Sequence, residues 1–185
     1  AYLDEPPVLL KGAAYVMAGL PAAAGRLFSD IDILVPHAQL AAVEIGLGRF
    51  GWITTHHDAY DQRYYREWMH ELPPVEHRTR GTVIDLHHTI VPPTSGHIPD
   101  AAQLIADARP VHIPHSPDVF RVLTPVDMVM HSACHLFFGE LQKGLRDLYD
   151  LHCLLSEFAP ADGFWEALLP RARQHQLECP VLLAI

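Results

Sequence analysis

The sequence predicts an α+β fold in which a small mixed β-sheet with flanking helices is followed by a C-terminal helical bundle. Two observations carry this prediction. Over roughly the first 95 residues, short β-branched runs bounded by Gly and Pro alternate with segments that have helical spacing of apolar residues. From about residue 120 onward, only helical spacing recurs. A Pro-rich stretch, 92–117, lies between the two parts and is the natural linker.

The first part is expected to alternate strands and helices. Val8-Leu9-Leu10 predicts a strand that ends in a turn at Lys11-Gly12 and leads into a helix starting at Ala13. The remaining elements follow from period-2 or helical spacing. They are a strand over 28–35, a helix over 40–50, a strand or hairpin arm over 60–70 and a β-branched strand over 82–90.

The second part is expected to be helical. Thr124-Pro125-Val126-Asp127 combines an N-cap residue, a first-turn proline and an acid three residues after the cap, which predicts a helix start. Further helices are expected over 140–158 and around Trp165. We therefore divide the chain into a core (1–95), a linker with a short helix (96–118) and a helical domain (119–185). The last of these ends in an apolar pattern without a stop signal, so we expect C-terminal truncation.

Composition narrows the classes of function. The chain has 185 residues, of which 49% are hydrophobic and 19% charged, and this excludes global disorder. With 13 Lys and Arg against 22 Asp and Glu, the net charge of −9 argues against extended nucleic acid as a partner. A small anionic ligand held by cationic side chains stays open as an alternative. The three cysteines lack CxxC spacing, and no signal peptide or membrane-length apolar run is found, so we expect a cytoplasmic protein outside the membrane.

Three aspartates on predicted strands form the main candidate site. Asp30 and Asp32 are two residues apart, so their side chains share one strand face with Cα atoms about 6.6 Å apart. Asp85 lies in the middle of another strand, and pairing the two strands would complete a triad. Such a set can hold Mg²⁺, or Mn²⁺, for phosphoryl or nucleotidyl transfer. The ordinary alternative is that Asp-x-Asp marks a strand edge facing water.

Several polar residues near these strands are candidates for binding phosphate. The Gly12 turn can direct backbone N–H groups at a phosphate, and the adjacent Lys11 can neutralise it as a point charge. Arg26 can contact phosphate bidentately, and Ser29 can donate a hydrogen bond to the ligand. Each also has an ordinary interpretation as a turn or surface residue.

A stripe of polar residues follows one face of the first predicted helix of the second part. His131 and His135 have the i, i+4 spacing of metal ligands, but Ser132 stands where a zinc protease has Glu, so a zinc hydrolase is disfavoured. We expect the two histidines to line the cleft. Because the chain has 14 histidines, a transition-metal site stays open as a further alternative.

These motifs together resemble the DNA polymerase β-like nucleotidyltransferase superfamily, in particular its poorly characterised bacterial branch. The resemblance is carried by Leu10-Lys11-Gly12-Ala13-Ala14, by the Arg-x-x-Ser-Asp-x-Asp run over 26–32, and by Val83-Ile84-Asp85-Leu86-His87. It implies a nucleotidyltransferase core in which Gly12 and Ala13 contact the nucleotide phosphates. It also implies that Asp30 and Asp32 ligate both metals and that Asp85 is the third ligand or the base.

The resemblance extends to residues expected to line the cleft. It includes a family pattern of His-x-x-x-His followed by a basic residue and Asp, matched here by His131, His135, Arg146 and Asp150. Arg146 and Asp150 are also spaced as an ordinary i, i+4 ion pair. His87, on the same strand face as Asp85, is the last candidate for this cleft.

The expected function is Mg²⁺-dependent transfer of a nucleoside monophosphate from an NTP to a hydroxyl group on a small molecule, a protein or an RNA end. Asp85 would help to deprotonate this unknown acceptor. The alternative is a catalytically lapsed nucleotide-binding or regulatory module of the same fold, which Ala13 favours because the superfamily most often has Gly or Ser there. The oligomeric state stays open.

Overall fold

Seven strands form one mixed sheet in the computed structural model, which describes residues 5–27, 29–113, 118–139, 142 and 144–185. The strands are Val8–Leu9 (β1), Asp30–Leu34 (β2), Trp52–Thr54 (β3), Val75–His77 (β4), Val83–His87 (β5), Arg109–His112 (β6) and Val119–Val122 (β7). Their order in the sheet is β3-β4-β5-β2-β1-β7-β6. β2 pairs in parallel with β5, β1 pairs in parallel with β7, and the other pairs are antiparallel.

Eight α-helices accompany the sheet within the described residues. They are Lys11–Met17 (α1), Leu40–Arg49 (α2), Ala59–Trp68 (α3), Ala101–Asp107 (α4), Pro125–Phe138 (α5), Gly144–Phe158 (α6), Phe164–Gln174 (α7) and Glu178–Ala184 (α8). Short 3₁₀ helices lie at Pro21–Ala23, His37–Gln39 and Pro93–Ser95. The predicted α+β class, with a mixed sheet and helices at the C-terminal end, is confirmed. None of the helices described is both long and apolar enough to cross a membrane.

The main hydrophobic core joins the centre of the sheet to the C-terminal helices. α5 packs against α6, α7 and α8, and its residues Val129 and Met130 are fully buried. They belong to the same cluster as Val8 of β1 and Leu154 of α6. A smaller cluster, which includes Leu40 and Leu86, packs α2 on the sheet. The strands that carry the aspartates are therefore held between two packed layers.

The start of α5 confirms the predicted capping sequence. The Thr124 hydroxyl accepts a hydrogen bond from the Asp127 backbone N–H at 3.2 Å and donates one to Asp127 Oδ2 at 2.8 Å. The Asp127 carboxylate also pairs with Arg171 of α7, at 2.7 Å to Nε and 3.0 Å to Nη2. Because Asp127 has no exposed surface, this ion pair ties α5 to α7 in the interior.

The structure corrects the prediction of a strand or hairpin arm over 60–70. This segment forms α3, whose N-cap Asp58 accepts a hydrogen bond from the Tyr60 N–H at 2.7 Å. An i, i+4 ion pair between Arg63 and Glu67 adds to the helix. The aromatic composition suggested a strand, but none of the side chains of α3 is buried. The capping and charge spacing therefore outweigh β-propensity here.

Two further differences concern turns and short strands. The predicted glycine turn is wrong, because α1 begins at Lys11 and Gly12 lies buried in its first turn. The four strands β3, β4, β6 and β7 were not predicted. β6 lies in the predicted linker and β7 opens the predicted helical segment, while the division into core, linker and helical domain stays a prediction. Phe28 of the predicted strand and Glu140, the expected start of a helix, lie outside the described residues.

Candidate active site

The three aspartates converge at the centre of the sheet. β2 and β5 are parallel neighbours, and their register places Asp32 directly opposite Asp85. Asp30 precedes Asp32 by two residues on β2, so all three side chains lie on the same face. This is the arrangement expected from the sequence, in which pairing of the two strands completes the triad. Because the aspartates stand on central strands, their positions are fixed by the packed sheet.

Asp32 is the most tightly held of the three carboxylates. It is 5% exposed, and its Oδ1 accepts a hydrogen bond from Lys11 Nζ at 2.7 Å and lies 2.9 Å from His87 Nε2. Burial by itself would raise the pKa of Asp32, but the hydrogen bond from His87 and the charge of Lys11 hold it well below its usual range. Asp32 is therefore an ionised carboxylate at neutral pH.

Lys11 approaches this carboxylate from a strained backbone position. Its φ of 45° lies in the left-handed region, which a residue with a side chain rarely occupies and which costs about 1–3 kcal/mol. The preceding residue, Leu10, is extended and donates its backbone N–H to the Asp32 carbonyl at 3.0 Å. Burial would lower the pKa of Lys11, but the Asp32 carboxylate outweighs burial and raises it. The strain therefore delivers a charged ammonium group to the aspartates.

Asp85 has a carboxylate oxygen that receives no hydrogen bond from the described residues. Its Oδ1 is buried and has no hydrogen-bond partner among the described residues. Burial and, to a smaller extent, the nearby carboxylates of Glu71 and Asp32 together raise the pKa of Asp85 to about 7. A buried, unpaired oxygen beside two more carboxylates fits an oxygen-ligated divalent cation such as Mg²⁺ or Mn²⁺. The residues present therefore suit the metal that the sequence implies.

A second polar cluster lies next to the aspartates and was not predicted. His87 Nε2, which contacts Asp32, also lies 3.2 Å from Glu71 Oε2. The rings of His70 and His87 are 5.0 Å apart between centroids. Glu71 and His87 are joined by an isolated antiparallel β-bridge, so backbone pairing brings them together. The adjacent His70-Glu71 pair is only a weak signal in the sequence, because the contact of these residues with β5 depends on the tertiary fold.

Two pockets meet at the aspartates. The smaller has a volume of about 100 Å³ and contains most of the predicted phosphate-binding residues. It is lined by Lys11, Gly12, Arg26, Leu27, Ser29, Asp30, Asp32, His135, Arg146 and Asp147. The larger, of about 370 Å³, is lined in part by Tyr65, His70, Glu71, Asp85 and Phe138. Lys11, Asp30 and His135 line both pockets, so these residues stand at the junction.

Comparison with known proteins assigns the chain to a protein family. The profile of a family described as uncharacterised nucleotidyltransferases matches residues 3–185. The chain belongs to this family. This agrees with the resemblance to the polymerase β-like superfamily, and it supports nucleotidyl transfer as the general activity. A search of curated proteins gave no match.

One of two similar solved structures supports the same fold. The antibiotic-resistance factor ANT(2″)-Ia has a TM-score of 0.53 at 14% identity, over 96% of this chain and 86% of that one. An antigenic nucleotidyltransferase-like protein from Paracoccidioides brasiliensis has a TM-score of 0.46 at 15% identity, over 96% of this chain and 84% of that one. At such identities the likeness of the first concerns the fold alone.

Several candidate residues of this nucleotidyltransferase-family chain are engaged in other contacts. Arg26 pairs with Asp150 at 2.6 Å, and its guanidinium lies 5.4 Å from the centroid of the Tyr15 ring. Asp150 is buried and accepts a hydrogen bond from Arg26. The ordinary alternative from the sequence, an i, i+4 ion pair between Arg146 and Asp150, is thus replaced by a pair with Arg26. Arg26 thus lines the smaller pocket while it also ties the segment after α1 to α6. Arg146 is exposed at the rim of that pocket.

The remaining predicted residues divide into those at the pockets and those behind them. Ser29 lies at the smaller pocket, where its hydroxyl donates to Asp30 Oδ1 at 3.1 Å. His135 lines both pockets, and its Nδ1 is 3.2 Å from Asp147 Oδ2. His131, in contrast, is buried in α5, and Ala13 packs against the main core. Burial holds the pKa of His131 well below its usual value, so this ring is neutral at physiological pH.

Proposed function

We propose that this chain transfers a nucleoside monophosphate from an NTP to a hydroxyl acceptor with the help of a divalent cation held by Asp30, Asp32 and Asp85. The observation that carries the proposal is the register of β2 and β5, which sets Asp32 beside Asp85. Lys11 is bonded to Asp32, and one buried oxygen of Asp85 has no hydrogen-bond partner in the described part of the chain. The family supplies the reaction class, and this geometry supports its site.

The two pockets suit the two substrates. Lys11, Arg26 and Arg146 line the smaller pocket together with three aspartates. Once a divalent cation offsets Asp30 and Asp32, these cationic groups would favour the triphosphate of the nucleotide. The larger pocket, of about 370 Å³, has the size that a small molecule or one terminal residue of a polymer requires. Asp85 lines the larger pocket and Asp30 lines both. In-line attack would therefore occur where the pockets meet.

The chemistry follows from these positions. The acceptor oxygen forms a bond to the α-phosphorus while the bond from that phosphorus to the bridging oxygen breaks, and pyrophosphate leaves. The acceptor proton passes to the Asp85 carboxylate, which lines the larger pocket where the acceptor is proposed to bind. Bound Mg²⁺ or Mn²⁺ would activate the hydroxyl and neutralise the phosphates. Lys11, which lines both pockets beside Asp32, would contact the phosphates of the nucleotide.

The reaction can be tested by following which phosphate of the NTP appears in the product. The protein is incubated with Mg²⁺, a pool of small-molecule and RNA-end acceptors, and each NTP labelled at either the α- or the γ-phosphate. We expect label from the α-position in the product, with release of pyrophosphate, and loss of both in Asp85→Asn. Asp162→Asn, at an exposed position just before α7 and outside both pockets, is the matched control and should keep full turnover.

Other outcomes separate the alternatives. Transfer of label from the γ-phosphate would overturn the proposal in favour of a kinase reaction. Nucleotide binding without any product over the whole acceptor pool would favour the lapsed, regulatory module of the same fold.

A further inference from the structure

We propose that His70, Glu71 and His87 form a second metal site that binds a transition-metal ion such as Zn²⁺. The bound ion would determine whether His87 contacts Asp32. One ligand atom from each of the three residues lies within 4.8 Å of the other two. Glu71 Oε2 is 3.2 Å from His87 Nε2 and 3.9 Å from His70 Nε2. Ligands of a tetrahedral zinc ion with bonds of about 2.0–2.1 Å are about 3.3 Å apart. The first distance fits that geometry, and the second needs only a small side-chain adjustment.

The donor atoms distinguish this cluster from the aspartates. Two imidazoles and one carboxylate are ligands that Zn²⁺ and related ions prefer, whereas the all-oxygen set of the aspartates suits Mg²⁺ or Mn²⁺. His87 has no exposed surface, and His70 Nε2 is directed at Glu71 from beyond hydrogen-bond distance. The Nδ1 atoms of both rings are buried without partners among the described residues. The cluster therefore holds more polar atoms than its hydrogen bonds use.

The site is open on one side. His70 and Glu71 both line the pocket of about 370 Å³, which supplies an entry path and room for water as a fourth ligand. Three protein ligands with one open position are typical of zinc sites that exchange ligands. The ion would reach this position from the side on which the acceptor is proposed to bind.

Occupation of the site would change the contacts of Asp32. His87 Nε2 lies 2.9 Å from Asp32 Oδ1, where a protonated nitrogen donates a hydrogen bond. The same nitrogen needs its lone pair to bind a metal, so it cannot do both. An ion at the cluster would remove His87 from Asp32 and leave Lys11 as its partner among the described contacts. We therefore expect Zn²⁺ to inhibit whatever reaction depends on Asp32.

Cobalt provides a direct test because Co²⁺ takes the ligands of Zn²⁺ and absorbs strongly in the visible range only when it is tetrahedral. Purified, metal-free protein is titrated with Co²⁺ and then with Zn²⁺, without nucleotide, by absorbance and calorimetry. We expect one Co²⁺ per chain with tetrahedral absorbance that Zn²⁺ displaces. His70→Gln and Glu71→Gln should each weaken binding at least tenfold, while His57→Gln, at an exposed position, should not change it.

Asp85→Asn distinguishes this site from the aspartates. We expect that variant to keep tetrahedral Co²⁺ binding, since Asp85 is not a ligand of the cluster. Absence of tetrahedral absorbance, or equal Co²⁺ affinity in wild type, His70→Gln and Glu71→Gln, would overturn the proposal. Co²⁺ binding lost in Asp85→Asn but kept in His70→Gln would assign the ion to the aspartates and also overturn it. Because no nucleotide is present, these results do not depend on the proposed transfer reaction.

Discussion

Replacement of Lys11 by Met is the perturbation whose effect can be worked out in most detail. The Lys11–Asp32 ion pair has an N–O distance of 2.7 Å, and the side chains are 19% and 7% exposed. Removal of one partner from a buried pair costs about 3–5 kcal/mol, because the other charge stays buried. His87 still contacts Asp32, and Lys11 is partly solvated, so we expect a loss of about 2–3 kcal/mol in the free energy of unfolding.

Urea unfolding followed by tryptophan fluorescence measures this loss. The control is Arg63→Met, which removes an i, i+4 pair with Glu67 whose side chains are 65% and 52% exposed. We expect the control to leave stability essentially unchanged, because exposed pairs contribute little. For a chain of this size, the loss in Lys11→Met corresponds to a fall in Tm of about 4–12 °C. If Lys11→Met were as stable as Arg63→Met, the assignment of Lys11 as the buried counter-ion of Asp32 would be refuted.

Three further predictions concern stability and are checked by urea unfolding. Arg171→Met should cost about 3 kcal/mol, because it leaves the fully buried Asp127 without its ion pair; a loss no greater than that of the exposed Arg173→Met would contradict this. Thr124→Ala should cost about 1 kcal/mol through loss of the α5 N-cap, and an unchanged midpoint would argue against that cap. Acid should destabilise the protein, because burial lowers the pKa of His131 in the folded chain, while the unfolded chain takes up the proton near pH 6.5. The free energy of unfolding should therefore fall as the pH drops from 7 to 5, by up to about 1.4 kcal/mol per pH unit for this residue. In His131→Gln the free energy of unfolding should depend less steeply on pH.

The central strands and the aspartates were predictable because their pattern is local. Alternation over β2 and the β-branched run of β5 set which side chains share a face, so the convergence of Asp30, Asp32 and Asp85 needed only the pairing of two strands. The N-cap sequence at Thr124 was equally local. The strand patterns and the cap each depend on residues within a few positions of one another, where periodicity and capping rules apply.

The features that the sequence did not predict depend on tertiary contacts or on very short segments. β3 and β4 have three residues each, too few to show alternation. The left-handed φ of Lys11 carries no sequence signal, because glycine at the next position suggested a different turn. Glu71 and His87 are 16 positions apart in sequence, and only an isolated bridge brings them together. The polar shell around Asp32 could therefore be seen only in the folded chain.

The most direct test of the proposed nucleotide site needs no knowledge of the acceptor. Calorimetric titration of the four NTPs, with and without Mg²⁺, is carried out on the wild-type protein and on Asp32→Asn, with circular dichroism to confirm that both are folded. We predict Mg²⁺-dependent binding of at least one NTP to the wild type, and loss of that binding in Asp32→Asn. Folded wild-type protein that binds no NTP, or equal Mg²⁺-dependent binding in the variant, would contradict the assignment of the aspartates as the metal and nucleotide site.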